Sequence, residues 1–214
     1  MNNIKLPEKV TRVMKKFQDV GADIYVVGGA VRDLLLGREV KDWDFATNLT
    51  PEEMKKLFPK NSFYENVYGT FSIVGKDGEI LEVTTYRTER EYTDSRHPDK
   101  VEWGKSLRED VERRDFTINA MGIQNDTRNE ILDSRIKDFF NGQEDLKNRL
   151  IRAVGEPDVR FQEDALRMMR AVGIATQLGF MIEEKTFESI VKNAKLINKI
   201  AGERIRDELF KILQ

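Results

Sequence analysis

The stretch from Ile24 to Asn48, IYVVGGAVRDLLLGREVKDWDFATN, constrains the fold more than any other part of the chain. A short apolar run, Ile24 to Val27, reads as a buried strand. It enters Gly28 and Gly29, then a helix-like segment from Ala30 to Leu36 that Gly37 stops. After a charged turn comes Asp42-Trp43-Asp44-Phe45. Alternate side chains of an extended strand share a face. Asp42 and Asp44 therefore project together, while Trp43 and Phe45 turn inward. Two adjacent carboxylates repel each other unless a cation lies between them. Hard oxygen donors of this kind suit Mg²⁺, which binds a few carboxylates together with substrate phosphates. The glycine pair stands where a strand becomes a helix, a place where backbone N–H groups approach phosphate.

Each half of the stretch also has an ordinary explanation. An acidic pair on a strand is commonly a solvated edge, and Gly-Gly commonly marks a turn. The order of glycine turn, helix and acidic strand is more specific than either half. It matches neither the dinucleotide fingerprint G-x-G-x-x-G nor the phosphate loop G-x-x-x-x-G-K-[ST]. Arg32 lies just beyond the glycines, where it could meet a triphosphate or pair with Asp33 or Asp42.

GGAVRDLLLG followed by DWDFAT resembles the signature of the class II tRNA nucleotidyltransferases and bacterial poly(A) polymerases, within the polymerase-beta-like superfamily. RRDFTINAM, from Arg113 to Met121, resembles a second signature of that family. EDALRMMRAV, from Glu163 to Val172, resembles its base-recognition motif, and AGERIRDELFKIL, from Ala201 to Leu213, a further one. The resemblance thus spans essentially the whole chain. One departure stands out: family members commonly carry arginine in RAVRFA, where this chain has Gly173 in RAVGIA.

The resemblance implies an α+β fold. A nucleotidyltransferase head with a small mixed sheet would occupy residues 1–147, and an all-helical neck residues 148–214. It implies an enzyme that adds CMP and AMP to the tRNA 3′ end from CTP and ATP, by two-metal phosphoryl transfer with Mg²⁺. Asp42 and Asp44 would be catalytic and hold the metal; apart from the resemblance, Glu82, alternating with Leu81 and Val83 on its strand, is either a third carboxylate near them or an exposed strand glutamate. Gly28, Gly29, Arg32 and Arg113 would bind the triphosphate. Asp164 and Arg167 would read the base, with Arg170 also in the nucleotide site. An A-adding enzyme or poly(A) polymerase shares all these motifs. A non-catalytic RNA- or nucleotide-binding module is the alternative of another class, although such a module has no need of paired metal ligands. The family also links a flexible loop at the place of Thr88 to Asp110 with the final A addition.

The chemistry of Asp164 and Arg167 can be read from the residues themselves. Arginine only donates hydrogen bonds and an ionised aspartate only accepts. Cytosine and adenine each present a ring-nitrogen acceptor beside an amine donor, whereas uracil and guanine present the reverse. The pair therefore fits C and A alike, and leaves unmatched groups against U and G. Taken as a continuous helix, the segment places Asp164, Arg167 and Arg170 three apart on one face, with Leu166, Met169 and Val172 inward. The ordinary explanation of such spacing is a solvated ladder of ion pairs.

Composition narrows the remaining choices. With 39% hydrophobic and 35% charged residues, the chain reads as soluble and globular. No apolar run approaches the roughly 20 residues of a membrane span. The polar start, MNNIKLPEKV, lacks a secretory apolar core. Cysteine is absent, so disulfides and thiolate metal sites are excluded, and one histidine, His97, cannot build a histidine-rich site. A cytoplasmic location follows, with no membrane and no obligate protein partner implied. The net charge of −2 means that nucleic acid must be met by local basic patches.

The remaining segments read as follows. Leu6 to Val20 is a helix that Gly21 ends, and Thr50-Pro51 with Glu53 is a capping box opening a helix to about Phe58. Strands are expected over Phe63–Val67, Thr70–Val74, Ile80–Arg87 and Ile131–Asp133, with a hairpin turn at Lys76-Asp77-Gly78. Thr88 to Asp110 reads as a loop, in which His97 is solvated. One of Arg113 and Arg114 is expected to pair with Asp110 or Asp115. After Pro157 the chain reads as helical throughout. In the last helix Ile205, Leu209, Ile212 and Leu213 form the apolar stripe, while Arg204 and Arg206 read as surface charges or contacts to RNA phosphate.

Overall fold

Val10, Val13, Met14 and Phe17 recur three or four residues apart, and all are buried on one face of the first helix, α1 (Glu8–Asp19). The structure is a computed structural model that describes residues 4–60, 62–64, 70–75, 78–90, 100–125 and 134–213. After α1 come β1 (Ile24–Val27), α2 (Gly29–Leu35), β2 (Asp44–Thr47), α3 (Pro51–Leu57), β3 (Ser62–Tyr64), β4 (Thr70–Val74) and β5 (Ile80–Thr85). Then follow β6 (Arg87–Arg90), β7 (Lys100–Trp103), α4 (Leu107–Glu112), β8 (Met121–Asn125) and β9 (Ser134–Asp138). The remainder comprises α5 (Gly142–Asn148), β10 (Leu150–Ile151), α6 (Pro157–Glu163), α7 (Leu166–Leu178), β11 (Met181–Ile182), α8 (Glu184–Asn193) and α9 (Gly202–Leu213).

The chain forms two compact units. One is drawn from Met1–Thr88, Trp103–Val111 and Met121–Phe139, the other from Glu89–Glu102, Glu112–Ala120 and Phe140–Gln214. The first unit is built on a seven-stranded sheet in the order β3-β4-β5-β2-β1-β8-β9. β2 and β5 run parallel and the other neighbours antiparallel, so the sheet is mixed. All four residues of β1 are buried, as expected of an unbroken apolar run covered on both faces. Phe17 of α1, Phe58 after α3 and Phe71 of β4 pack ring to ring, with centroids 5.7 and 6.5 Å apart. Losing such a ring costs about 3–5 kcal/mol. The capping box at α3 is present: Glu53 N donates to Thr50 Oγ1 at 3.4 Å, and Thr50 N to Glu53 Oε2 at 2.8 Å.

The fold is α+β, and it departs from the sequence reading at several points. β8 and β9 were not anticipated as strands. The segment expected as a loop from Thr88 to Asp110 contains most of β6, all of β7 and the start of α4, with β6 and β7 forming a sheet of two strands. Their charged sequences carry little apolar alternation, so no period marks them. Glu65–Val67, Lys76, Asp77, Asp94, Arg96, His97, Pro98 and Ile131–Asp133 lie outside the described residues.

The second unit is mainly helical, but not throughout. β10 and β11 pair in parallel, Leu150 with Met181 and Ile151 with Ile182. In α9 Glu208 is the buried residue, while Leu209 and Leu213 are 45% and 72% exposed, so the expected apolar stripe is only partly used. Among the described residues no helix is long and apolar enough to cross a membrane.

Candidate active site

In the first unit the strand register assembles the elements that the sequence could only order. β1 and β2 pair antiparallel with Val27 opposite Asp44, so the residue before Gly28 lies beside the first residue of the acidic strand. The glycine turn and the carboxylates therefore share one end of the sheet. Gly28 has φ +74° and ψ −144°, a conformation that residues with a Cβ rarely adopt. The guanidinium of Arg32 lies over the start of α2, with Nη2 3.4 Å from where a Cβ of Gly29 would stand. Arg32 is held by Asp33, with Nε to Oδ1 and Nη2 to Oδ2 both at 2.9 Å. One of the two pairings weighed for Arg32 is thus formed.

Asp42 is exposed, Asp44 half-buried, and Trp43 and Phe45 buried, matching the expected alternation. Regular pairing starts at Asp44, but Glu82 N reaches Trp43 O at 3.4 Å, so the extended course begins earlier. β2 and β5 place Glu82 directly beside Asp44 in parallel register. Among the described residues no group of three or more carboxylate, imidazole or thiol side chains is gathered closely enough to hold a metal. The donor set is nonetheless of the right kind, because Mg²⁺ needs only one or two carboxylates when phosphate supplies further oxygens.

In the second unit the part of RRDFTINAM from Arg113 to Ala120 folds into a tight knob, and Met121 opens β8 of the first unit. Thr117–Asn119 forms a 3₁₀ turn; Thr117 N donates to Arg152 O at 2.9 Å, and Val154 N to Asp115 O at 3.0 Å. The Asp115 carboxylate is buried. Oδ1 accepts from Phe116 N at 2.8 Å and Asn119 Nδ2 at 3.1 Å, and Oδ2 from Arg170 Nε at 2.9 Å and Nη2 at 2.6 Å. Burial alone would raise the pKa of Asp115, but the charge and hydrogen bonds of Arg170, with Asn119, hold it at about 2. Asp115 also holds the pKa of Arg170 up, against the effect of burial. One of Arg113 and Arg114 was expected to pair with Asp110 or Asp115; Arg170, which was not anticipated, pairs with Asp115.

The three candidate base-site residues do not lie three apart on one helical face. The helix breaks between α6 and α7, where Asp164 is extended at φ −143° and ψ 105°, and its Oδ1 accepts from Leu166 N at 3.1 Å. The break resets the phase. Leu166, Met168, Ala171 and Gly173 face inward, whereas Val172 is 42% exposed. Nor is there a ladder. Asp164 pairs with Arg204 at 3.0 Å, Arg167 with Glu163 at 2.7 Å, and Arg170 with Asp115. Nη2 of Arg167 also donates to Arg113 O at 2.9 Å, which brings the knob and the base-recognition segment together. Glu163, Asp115 and Arg204 were missed as site-forming residues. The spacing of Glu163 and Arg167 is a signal that could have found the first; nothing local marks the other two. Arg206 pairs with its neighbour Asp207 at the surface.

Residues 24–152 match the family described as Poly A polymerase head domain. The chain belongs to that family. Residues 179–214 match a second family description, the probable RNA and SrmB-binding site of polymerase A. The CCA-adding enzyme of Lactobacillus helveticus is 49% identical over 211 residues, which is 97% of this chain and 51% of that enzyme. Among solved structures, the Bacillus stearothermophilus CCA-adding enzyme in complex with CTP superposes with a TM-score of 0.83 at 42% identity, covering 96% of this chain and 48% of that one. The Thermotoga maritima CCA-adding enzyme complexed with tRNA-CCA gives 0.78 at 29% identity, covering 98% and 48%. The chain thus spans about half the length of the relatives that it matches. The head fold is the polymerase-beta-like one anticipated from the sequence. Nucleotidyltransferases of this family use divalent metal ions.

Proposed function

We propose that the protein is a template-independent RNA nucleotidyltransferase that adds CMP and AMP to the tRNA 3′ end, completing CCA from CTP and ATP with release of pyrophosphate. The observation that carries this reading is the register Val27 opposite Asp44, which puts the glycine turn and the carboxylates at one end of one sheet. The likeness to CCA-adding enzymes supports it.

In this reading residues 1–147 are the catalytic head and 148–214 the neck. Asp42 and Asp44 hold Mg²⁺, with Glu82 next to Asp44 as a further carboxylate. When bound, the metal lowers the pKa of the attacking 3′-hydroxyl and offsets charge on the phosphates. Gly28 and Gly29 give the triphosphate access to the backbone, and Arg32 exchanges Asp33 for phosphate oxygens. Arg113, Asp164, Arg167 and Arg170 bind the nucleotide. Arg167 donates to the ring nitrogen of C or A, and Asp164 accepts from the exocyclic amine. In this reading the enzyme acts in the cytoplasm.

The description of the matched head domain favours one second reading, a poly(A) polymerase. Incubation with Mg²⁺ and each labelled nucleoside triphosphate in turn separates the two, using tRNA that lacks all of CCA or only its terminal A. The proposed activity adds C, C and A and then stops. A growing A tail indicates the polymerase, and A addition only to tRNA ending in CC indicates an A-adding enzyme. Binding without incorporation means a non-catalytic module and overturns the proposal.

A further inference from the structure

We infer that Gly173 is a positioning residue for base selection, because it lets α9 lie close enough to α7 for Arg204 to hold Asp164. The inference rests on the proposal that Asp164 reads the base. Gly173 is buried within α7, and a Cβ there would stand 3.0 Å from Cγ1 of Ile212. Carbon atoms pack best at about 3.5–4.0 Å, so a side chain at residue 173 would press on Ile212 where α9 now lies. Glycine is a poor residue for a helix interior, and this close approach gives its presence a physical reason.

Several contacts join the two helices. Asp164, just before α7, meets Arg204 near the start of α9 at 3.0 Å. Gly173 meets Ile212, and Gln177 Nε2 donates to Lys211 O at 2.8 Å. Arg204 and Ile212 follow each other along α9 as Asp164 and Gly173 do along the facing stretch, so the helices run alongside each other in the same direction, and a side chain at position 173 would press on α9. Glu208, the buried residue of α9, contributes electrostatically to Arg170 of α7, while Leu209, Phe210 and Leu213 are exposed. The position of α9 is thus set largely by α7. A helix moves as a rod, so a side chain wedged at position 173 lifts Ile212 and tilts Arg204 away from Asp164. Asp164 then keeps its bond to Leu166 N but loses the cation that fixes its second oxygen. A carboxylate that reads an amine against a carbonyl discriminates only while it is aimed.

Gly173→Val introduces the wedge without penalising α7 itself, since valine is no worse than glycine in a helix interior. Ile212→Ala removes the atoms that the wedge would strike. Equilibrium binding of CTP, ATP, UTP and GTP to the full chain, with Mg²⁺, reads base preference without requiring turnover. In Gly173→Val the preference for C and A over U and G should fall about ten-fold, the scale of one oriented base contact. The double variant Gly173→Val/Ile212→Ala should recover it, and Ile212→Ala alone should resemble the wild type. Thermal melts accompany each measurement. If Gly173→Val does not fold, Gly173→Ala is measured in its place, with a smaller loss and the same rescue expected. Unchanged preference in the folded variant, or a loss that Ile212→Ala does not restore, overturns the inference. Asp164→Ala separates the two levels. If it also leaves base preference unchanged, the assignment of Asp164 as a reader falls and the inference falls with it. If Asp164→Ala alters preference and the Gly173 variant does not, only the positioning role is refuted.

Discussion

The guanidinium of Arg170 donates twice to a single oxygen of Asp115, through Nε at 2.9 Å and Nη2 at 2.6 Å. Asp115 is buried, whereas the Arg170 side chain is 39% exposed. Removing the carboxylate strands a cation that can still reach water. Asp115→Ala should therefore cost about 1–3 kcal/mol, below the 3–5 kcal/mol of a fully buried pair. At this chain length a loss of 1 kcal/mol lowers the melting temperature by about 2–4 °C. Calorimetry of the variant checks this, and a wild-type melting temperature would refute it.

Acid should erase part of that difference. The folded pKa of Asp115 is about 2, against about 3.9 for an unfolded aspartate. A depressed folded value stabilises the fold above the unfolded pKa, and this contribution is lost as the pH falls through the folded one. Asp158 behaves in the same way. The hydrogen bond from Lys192, then those from Ser189 and Asn193, hold it at about 2, joining α6 to α8. The stability gap between the wild type and Asp115→Asn, or Asp158→Asn, should be full at pH 7 and narrow steadily from about pH 4 to pH 2. Denaturant titrations across that range test it; a gap independent of pH contradicts the assignment.

Asp42→Ala and Asp44→Ala should each lower nucleotide incorporation by about a hundred-fold or more, the scale for losing a principal electrostatic contribution. Their melting temperatures should stay near that of the wild type or rise, because removing one carboxylate relieves repulsion. Glu82→Gln, beside Asp44 in register, should raise the Mg²⁺ concentration needed for half-maximal rate while sparing the rate at saturation. Incorporation assays at graded Mg²⁺ decide each outcome. Wild-type turnover in either aspartate variant would remove the pair from the chemistry.

Arg167→Ala and Asp164→Ala should fail in different ways. The first removes the donor to the ring nitrogen and should weaken C and A together without admitting U or G. The second removes the acceptor and frees Arg204, so U and G should become relatively better by about ten-fold. Arg167 also joins Glu163 to the backbone of Arg113, so its loss should lower the melting temperature as well. Single-nucleotide kinetics with all four triphosphates discriminate between the two patterns. Unchanged ratios in both variants would leave these residues with a structural role only.

The sequence by itself determined the features governed by local geometry. The apolar period of α1, the cap of α3, the strand entering Gly28, and the alternation around Asp42 and Asp44 depend on neighbouring residues and backbone sterics. They appear in the structure nearly as written. The signature motifs were legible for the same reason, being short and continuous. Tertiary structure decided which distant groups meet. Glu82 could be weighed as a further carboxylate from its strand alternation, and Glu163 stands at helical spacing from Arg167, but only the sheet register sets Glu82 beside Asp44, and nothing near Asp164 or Asp115 selects Arg204 or Arg170 over other charges. A charged side chain has many acceptable partners of similar local energy, and a strand can pair in several registers. The choice falls to whichever arrangement buries the apolar faces, and that is a property of the whole core. The break at Asp164 shows the same limit. EDALRMMRAV carries a good helical period, yet the chain breaks at Asp164, whose carboxylate accepts from Leu166 N and is held by Arg204, 40 residues further along.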